Sequence, residues 1–141
     1  MEILLVQNCQ KHTFPWMNSF IKNKWFMDIN RKQILESFLS DVADISDKEY
    51  QRRIWINAEG PECDDFTEIV CRHSNAAESI FEKHKAYGIS GPQLDALKKF
   101  HEEFKKFWIE NDLPQLFIDT PEWTKITLLA KEVLQAFDYQ K

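Results

Sequence analysis

The stretch Glu59-Gly60-Pro61-Glu62-Cys63-Asp64-Asp65-Phe66-Thr67-Glu68 decides how the rest of the chain is read. Pro61 carries no N–H and disfavours the α region at Gly60, so a helix arriving from upstream has to stop here. Asp64 or Asp65 is placed to cap a new helix, whose apolar positions begin at Phe66 and continue at Ile69 and Val70. The same ten residues hold five carboxylates (Glu59, Glu62, Asp64, Asp65 and Glu68) and no basic side chain. A helix break and the densest acidic cluster coincide.

Upstream of this joint, Ile34, Leu35, Phe38, Leu39 and Val42 form one apolar stripe, which predicts a helix from about Asn30 to Asp44 with Asn30 as its cap and Gln33 in capping-box position. Ser46-Asp47-Lys48-Glu49 repeats the box pattern and predicts a second helix over 47–57. In it Trp55 falls off the Tyr50–Ile54 line, beside the acidic turn. Residues 1–27 are rich in aromatic groups but lack a period, so they are expected to be an irregular segment that wraps the core.

Downstream, a three-four rhythm runs from Phe66 to Tyr87, with a break expected at Ser74-Asn75 because both side chains compete for backbone hydrogen bonds. Gly88 suits a C-terminal cap. Ser90-Gly91-Pro92 opens a helix along Leu94, Leu97, His101, Phe104 and Trp108, widened by Phe100 and Phe107 and ending near Asn111. Thr120-Pro121-Glu122 starts the last one, with Trp123, Ile126, Leu129, Ala130, Val133, Leu134 and Phe137 as its buried side. The expected fold is all-α: a single domain over 1–141, a compact bundle of five or six helices with the irregular N-terminal segment.

The totals agree with this reading. In 141 residues, 43% hydrophobic side chains with eleven Phe and five Trp are enough for a real core, and three Gly with five Pro suit long helices and short joints. No apolar run approaches the roughly 20 residues of a membrane span, and Met1-Glu-Ile-Leu-Leu-Val is not a signal peptide, so a cytoplasmic protein is expected. The net charge of −5 is uneven. Residues 1–33 carry five basic groups against Glu2 and Asp28, a balance of +3, and the remainder carries 13 basic against 21 acidic, a balance of −8. Such a chain repels phosphate, which argues against nucleic acid as a partner and for a basic protein.

Motifs for chemistry are sparse. Cys9-x2-His12, Cys71-x-His73 and Cys63 supply ligand types suited to zinc, but not as two tight pairs. No Glu is followed by a His three residues on, which removes the di-iron bundle motif. Asp64, Asp65 and Glu68 are candidates to hold Mg²⁺ across a helix start. Against that, an acidic first turn complements the helix dipole and Glu68 can pair with Arg72. His73, His84 and His101 fall on apolar stripes, as packing histidines do. There is no nucleophile elbow and no Gly-rich phosphate loop. Neither an enzyme nor a cofactor or metal is expected. The sharper expectation is a protein-binding face: Glu59, Glu62, Asp64, Asp65 and Glu68 as an acidic rim, with Trp55 and Phe66 as apolar anchors.

The segment Arg52-Arg53-Ile-Trp-Ile-Asn-Ala-Glu-Gly-Pro-Glu-Cys-Asp-Asp-Phe-Thr-Glu-Ile-Val-Cys71, with its landmark Glu59-Gly60-Pro61-Glu62, resembles small bacterial proteins of toxin–immunity loci, of which the immunity proteins of contact-dependent growth inhibition systems are the nearest named group. The likeness runs from about residue 46 to the helix at Thr120-Pro121-Glu122-Trp123. It implies a role rather than residues: binding and blocking a cognate toxin, often a basic nuclease. Two other readings stay open, a helical metal-dependent hydrolase built on Asp64, Asp65, Glu68 and a histidine, and a small protein-interaction adaptor.

Overall fold

The computed structural model describes residues 24–141, and the expected irregular segment lies, up to residue 23, outside them. Six helices and no strand occur among the described residues: α1 (Lys24–Ile45), α2 (Lys48–Tyr50 continuing as a π-helix over Gln51–Ile56), α3 (Phe66–Glu82), α4 (Gly91–Glu110), the single turn α5 (Pro114–Phe117) and α6 (Pro121–Ala136). The expected all-α bundle is observed.

Helix starts follow the capping signals, with two shifts. Asp65 caps α3, its carboxylate accepting from the Glu68 N–H at 2.8 Å. Ser90 and Gln93 form a reciprocal capping box at α4, and Thr120 caps α6 ahead of Pro121. At α2 the cap is Asp47 rather than Ser46, whose hydroxyl donates back to the Ala43 carbonyl. Asn30 caps nothing, because α1 begins six residues earlier. Trp25, Phe26 and Met27 extend the helical run there, and one Asn inside a helix costs only a fraction of a kcal/mol, roughly 0.7 at most.

The break expected at Ser74-Asn75 does not occur; α3 passes through it unbroken. Phe66, Ile69, Val70, His73, Ala77 and Ile80 are buried on one face of α3, with Cys71 buried to its side, and packing along that face outranks two weak helix formers. The cost shows at Ser74, whose hydroxyl is buried without a hydrogen-bond partner among the described residues. Looser turns follow to Gly88 (φ 73°), where the Ile89 N–H reaches the His84 carbonyl at 3.0 Å and the Gly88 N–H the Lys85 carbonyl at 3.1 Å. That pair of bonds is a Schellman closure, which uses the glycine's left-handed freedom.

Helix α6 lies at the centre, packed on α4 and α1, while α1 also packs on α3. Trp123 on α6 is fully buried, its ring within 6.3 Å of Trp55, Phe66, Phe104, Phe107 and Phe117. One buried amide orients it. Gln51, at the start of the π-turn, accepts from Trp123 Nε1 at 2.8 Å and donates to the carbonyls of Asp44 and Ile45 at 2.9 and 2.8 Å. Gln51 thus caps α1 and ties α2 to α6 across 72 residues of chain.

Candidate functional site

The acidic joint is a strained turn braced by arginines. The π-helix ends in bonds from the Asn57 N–H to the Arg52 carbonyl and from the Glu59 N–H to the Arg53 carbonyl, at 3.0 and 2.7 Å. Ala58 then takes φ 53° and Gly60 φ 120°. A Cβ at Gly60 would sit 2.6 Å from Arg53 Nη1 and 2.8 Å from Glu62 Oε2. Gly60 is therefore needed twice, for its backbone angle and for the Arg53–Glu62 ion pair that crosses it at 3.0 Å. The hydrogen bond from Arg53 holds the Glu62 carboxyl below its ordinary range.

Arg72 neutralises the other flank. It reaches Asp41 through two nitrogens at 3.1 Å each, Asp64 at 3.1 Å and Glu68 at 3.7 Å. The Glu68–Arg72 pair read from the i, i+4 spacing is present, with two acids added from elsewhere in the fold. Burial raises the Asp41 carboxyl despite Arg72. Burial also opposes the Arg72 charge, but the bonds and charges of Asp41 and Asp64 outweigh it and raise its pKa. Asp64 takes a further bond from the Tyr50 hydroxyl at 3.2 Å.

Of the seven residues expected to form the binding face, the structure presents some and withdraws others. Glu59, Glu62, Asp65 and Glu68 are exposed, while Asp64 is folded under Arg72. Trp55 and Phe66 are not surface anchors: they are 9% and 3% exposed and belong to the aromatic core. The physical reason for Trp55 is the π-winding. Hydrogen bonds closing over five residues rather than four bring it round toward the line of Tyr50, five residues back and 6.4 Å away, and it meets Phe66 at 5.7 Å. Phe66 follows the cap of α3 directly and lands 4.9 Å from Phe117.

That last contact places the joint beside a corner the sequence reading passed over. Ile109, Leu113 and Leu116 are 55%, 46% and 73% exposed, and they bracket the α4–α5 turn next to Phe117. A signal for it was available, because residues 107–122 carry four carboxylates (Glu110, Asp112, Asp119 and Glu122) and no basic residue. Asp119 is answered by Arg52 from α2. Glu59, Asp65, Glu110 and Asp112 have no ion-pair partner among the described residues. At the α4–α5 corner, Glu110 and Asp112, both without an ion-pair partner among the described residues, thus stand next in sequence to Ile109 and Leu113, and Asp65 adjoins the Phe66 that meets Phe117 there.

As metal ligands, Asp64 and Asp65 serve separate partners, Arg72 and the α3 N-terminus. No group of three or more His, Cys, Asp or Glu side chains is arranged to hold a metal among the described residues. Cys63 is exposed; Cys9 and His12 lie outside the described residues. His73 packs as its stripe position implied. It is stacked on Phe38 at 5.0 Å, and its Nε2 lies 2.8 Å from His101 Nδ1. Burial, with the neighbouring His101 charge, pushes its pKa down to about 3. His84 bonds to the Phe81 carbonyl of its own helix end.

An open groove of about 1120 Å³ borders the joint, between α1, α2 and α6. Asp44, Asp47, Glu49 and Glu62 contribute carboxylates to it, while Lys48, Arg53, Lys131 and Lys141 contribute cations. Comparison with protein-family models, with curated proteins and with solved structures returns no match.

Proposed function

We propose that this protein acts by binding a basic protein partner, as an immunity protein binds and blocks its toxin in the cytoplasm of the cell that makes both. The observation that carries the reading is the α4–α5 corner: Ile109, Leu113 and Leu116 exposed beside Glu110 and Asp112, which have no ion-pair partner among the described residues, with Asp65 of the joint next to the Phe66 that packs on Phe117. Apolar groups at the centre of a contact supply most of its energy, and charges at its rim set encounter rate and choice of partner. The resemblance around Glu59-Gly60-Pro61-Glu62 and the balance of −8 outside residues 1–33 support the same reading. No helix among the described residues is long and apolar enough to cross a membrane.

The binding surface is moved, relative to the sequence reading, from Trp55 and Phe66 to the α4–α5 corner. The test takes as its probe the toxin domain that this reading expects in the reading frame immediately upstream; a frame that encodes none counts against the reading. Glu59→Lys and Asp112→Lys should slow association at low salt. That defect should fade as the Debye length falls from about 30 Å at 0.01 M to about 3 Å at 1 M. Leu116→Asp should speed dissociation, and Leu128→Asp, 54% exposed on α6, should not. If the other three variants bind as the parent does, or if the purified pair does not associate at low salt, the reading is wrong.

A further inference from the structure

We infer that the groove between α1, α2 and α6 is a binding site for a primary ammonium group, the side chain of a lysine, and that Lys141 is its built-in occupant. Lys141 Nζ sits 2.6 Å from Asp44 Oδ1 and 5.7 Å from the centre of the Tyr50 ring. A buried carboxylate beneath and an aromatic face to one side are what a cation needs to be held away from water. Asp44 is built in rather than displayed. It is 7% exposed, and its backbone carbonyl is held by Gln51. Tyr50 is fixed from the far side by its bond to Asp64.

The contact selects ammonium over guanidinium. It runs to a single carboxylate oxygen, which suits a compact point charge, whereas an arginine fork is matched by two oxygens at once. Two other groove cations are engaged elsewhere: Lys48 turns to the Thr124 hydroxyl at 2.7 Å, and Arg53, which also lies over the Tyr50 ring at 5.8 Å, pairs with Glu62 and not with Asp44. Burial raises the Asp44 carboxyl and Lys141 opposes that rise, so an empty site would leave a desolvated carboxylate without its cation.

The occupant is lightly tethered. After α6 the chain turns at Asp138 (φ 50°), with the Tyr139 N–H on the Leu134 carbonyl at 2.9 Å and its ring packed against the core, and the Lys141 side chain, itself 49% exposed, reaches from there to Asp44. Half of the Lys141 side chain stays in water, so an external lysine can exchange with it for the same carboxylate. Because the groove reaches Glu62, a lysine entering from outside would also meet the acidic joint.

The test measures binding of acetyl-tetralysine-amide at low salt by titration calorimetry, with acetyl-tetraarginine-amide as the comparison. Lys141→Met, which removes the ammonium and keeps the chain, should bind tetralysine at least tenfold more tightly than the parent and should favour it over tetraarginine. Adding Asp44→Asn should abolish that gain. In the Lys141→Met protein, the ¹³C resonance of the Asp44 carboxyl should move on adding tetralysine, which reports the site even if the double variant folds poorly. Equal affinity of parent and Lys141→Met, no binding by either, or an unmoved Asp44 resonance would overturn the inference. None of these outcomes bears on the α4–α5 corner, so the two readings fail separately.

Discussion

Replacing Gln51 by Leu puts an apolar side chain of comparable bulk, one atom shorter, in a fully buried position and removes all three hydrogen bonds. The Asp44 carbonyl keeps a second donor, the Asp47 N–H at 3.2 Å. Trp123 Nε1 and the Ile45 carbonyl have Gln51 as their partner and are left bare in surroundings where both residues are 0% exposed. Leaving a buried donor or acceptor unsatisfied costs about 1–3 kcal/mol, so the two together should cost on the order of 2–6 kcal/mol. Domains of this size have roughly 5–15 kcal/mol in total, so the variant should be close to unfolding. Urea denaturation at pH 7, followed by tryptophan fluorescence and far-UV circular dichroism, measures this directly. The midpoint should fall sharply with the slope unchanged. Trp123→Phe, combined with Gln51→Leu, should recover part of the loss, because it removes the orphaned donor. A Gln51→Leu protein within about 1 kcal/mol of the parent would refute the assignment of Gln51 as the tie between α1, α2 and α6.

Two further expectations test the core and the joint. His73 titrates near 3 when folded and near 6.5 when unfolded, so the unfolded chain binds more protons between those values. Stability should be full above about pH 6.5 and fall by up to about 1.4 kcal/mol per unit as the solution is acidified. His101, also lowered by burial, adds to that fall, while Asp41 and Asp44, raised by burial, oppose it in the carboxylate range. Chemical denaturation at a series of pH values should show the slope, and His73→Phe should flatten it; a parent equally stable at pH 7 and pH 5 would contradict a buried neutral imidazole. Gly60→Ala should cost about 1–3 kcal/mol from its backbone angle, and it must also part Arg53 from Glu62. Gly88→Ala meets no atom within 4 Å and should lose only the left-handed penalty of about 1–2 kcal/mol. Thermal melts that rank the two glycines the other way would show the Gly60 turn to be relaxed.

The helices were legible because their signals are local. Asp65, Ser90 and Thr120 cap within three residues of themselves, Gly88 closes its turn over five, and Glu68 meets Arg72 one turn on. The all-α class and the helix break at Gly60-Pro61 followed from such short-range rules. The acidic joint was legible as a place but not as a surface. The arginines that brace it are near in sequence, Arg53 nine residues from Glu62 and Arg72 eight from Asp64, but their neighbours come from afar: Arg72 also joins Asp41 across 31 residues, and Arg52 joins Asp119 across 67. Trp55 looked like a rim anchor while α2 was read as an α-helix, and Phe66 because it follows the acidic turn directly. The wider winding that buries Trp55 is held by Gln51, whose partner Trp123 is 72 residues away. The same holds for Ser74-Asn75, where weak local preference lost to a continuous buried face, and for Lys141, brought to Asp44 across 97 residues. Sequence by itself determined what each segment does to its own backbone, since caps, glycines and apolar periods act within a turn or two. Tertiary structure alone decided which charges are cancelled and which side chains face water, because those depend on groups that meet only after the helices have packed.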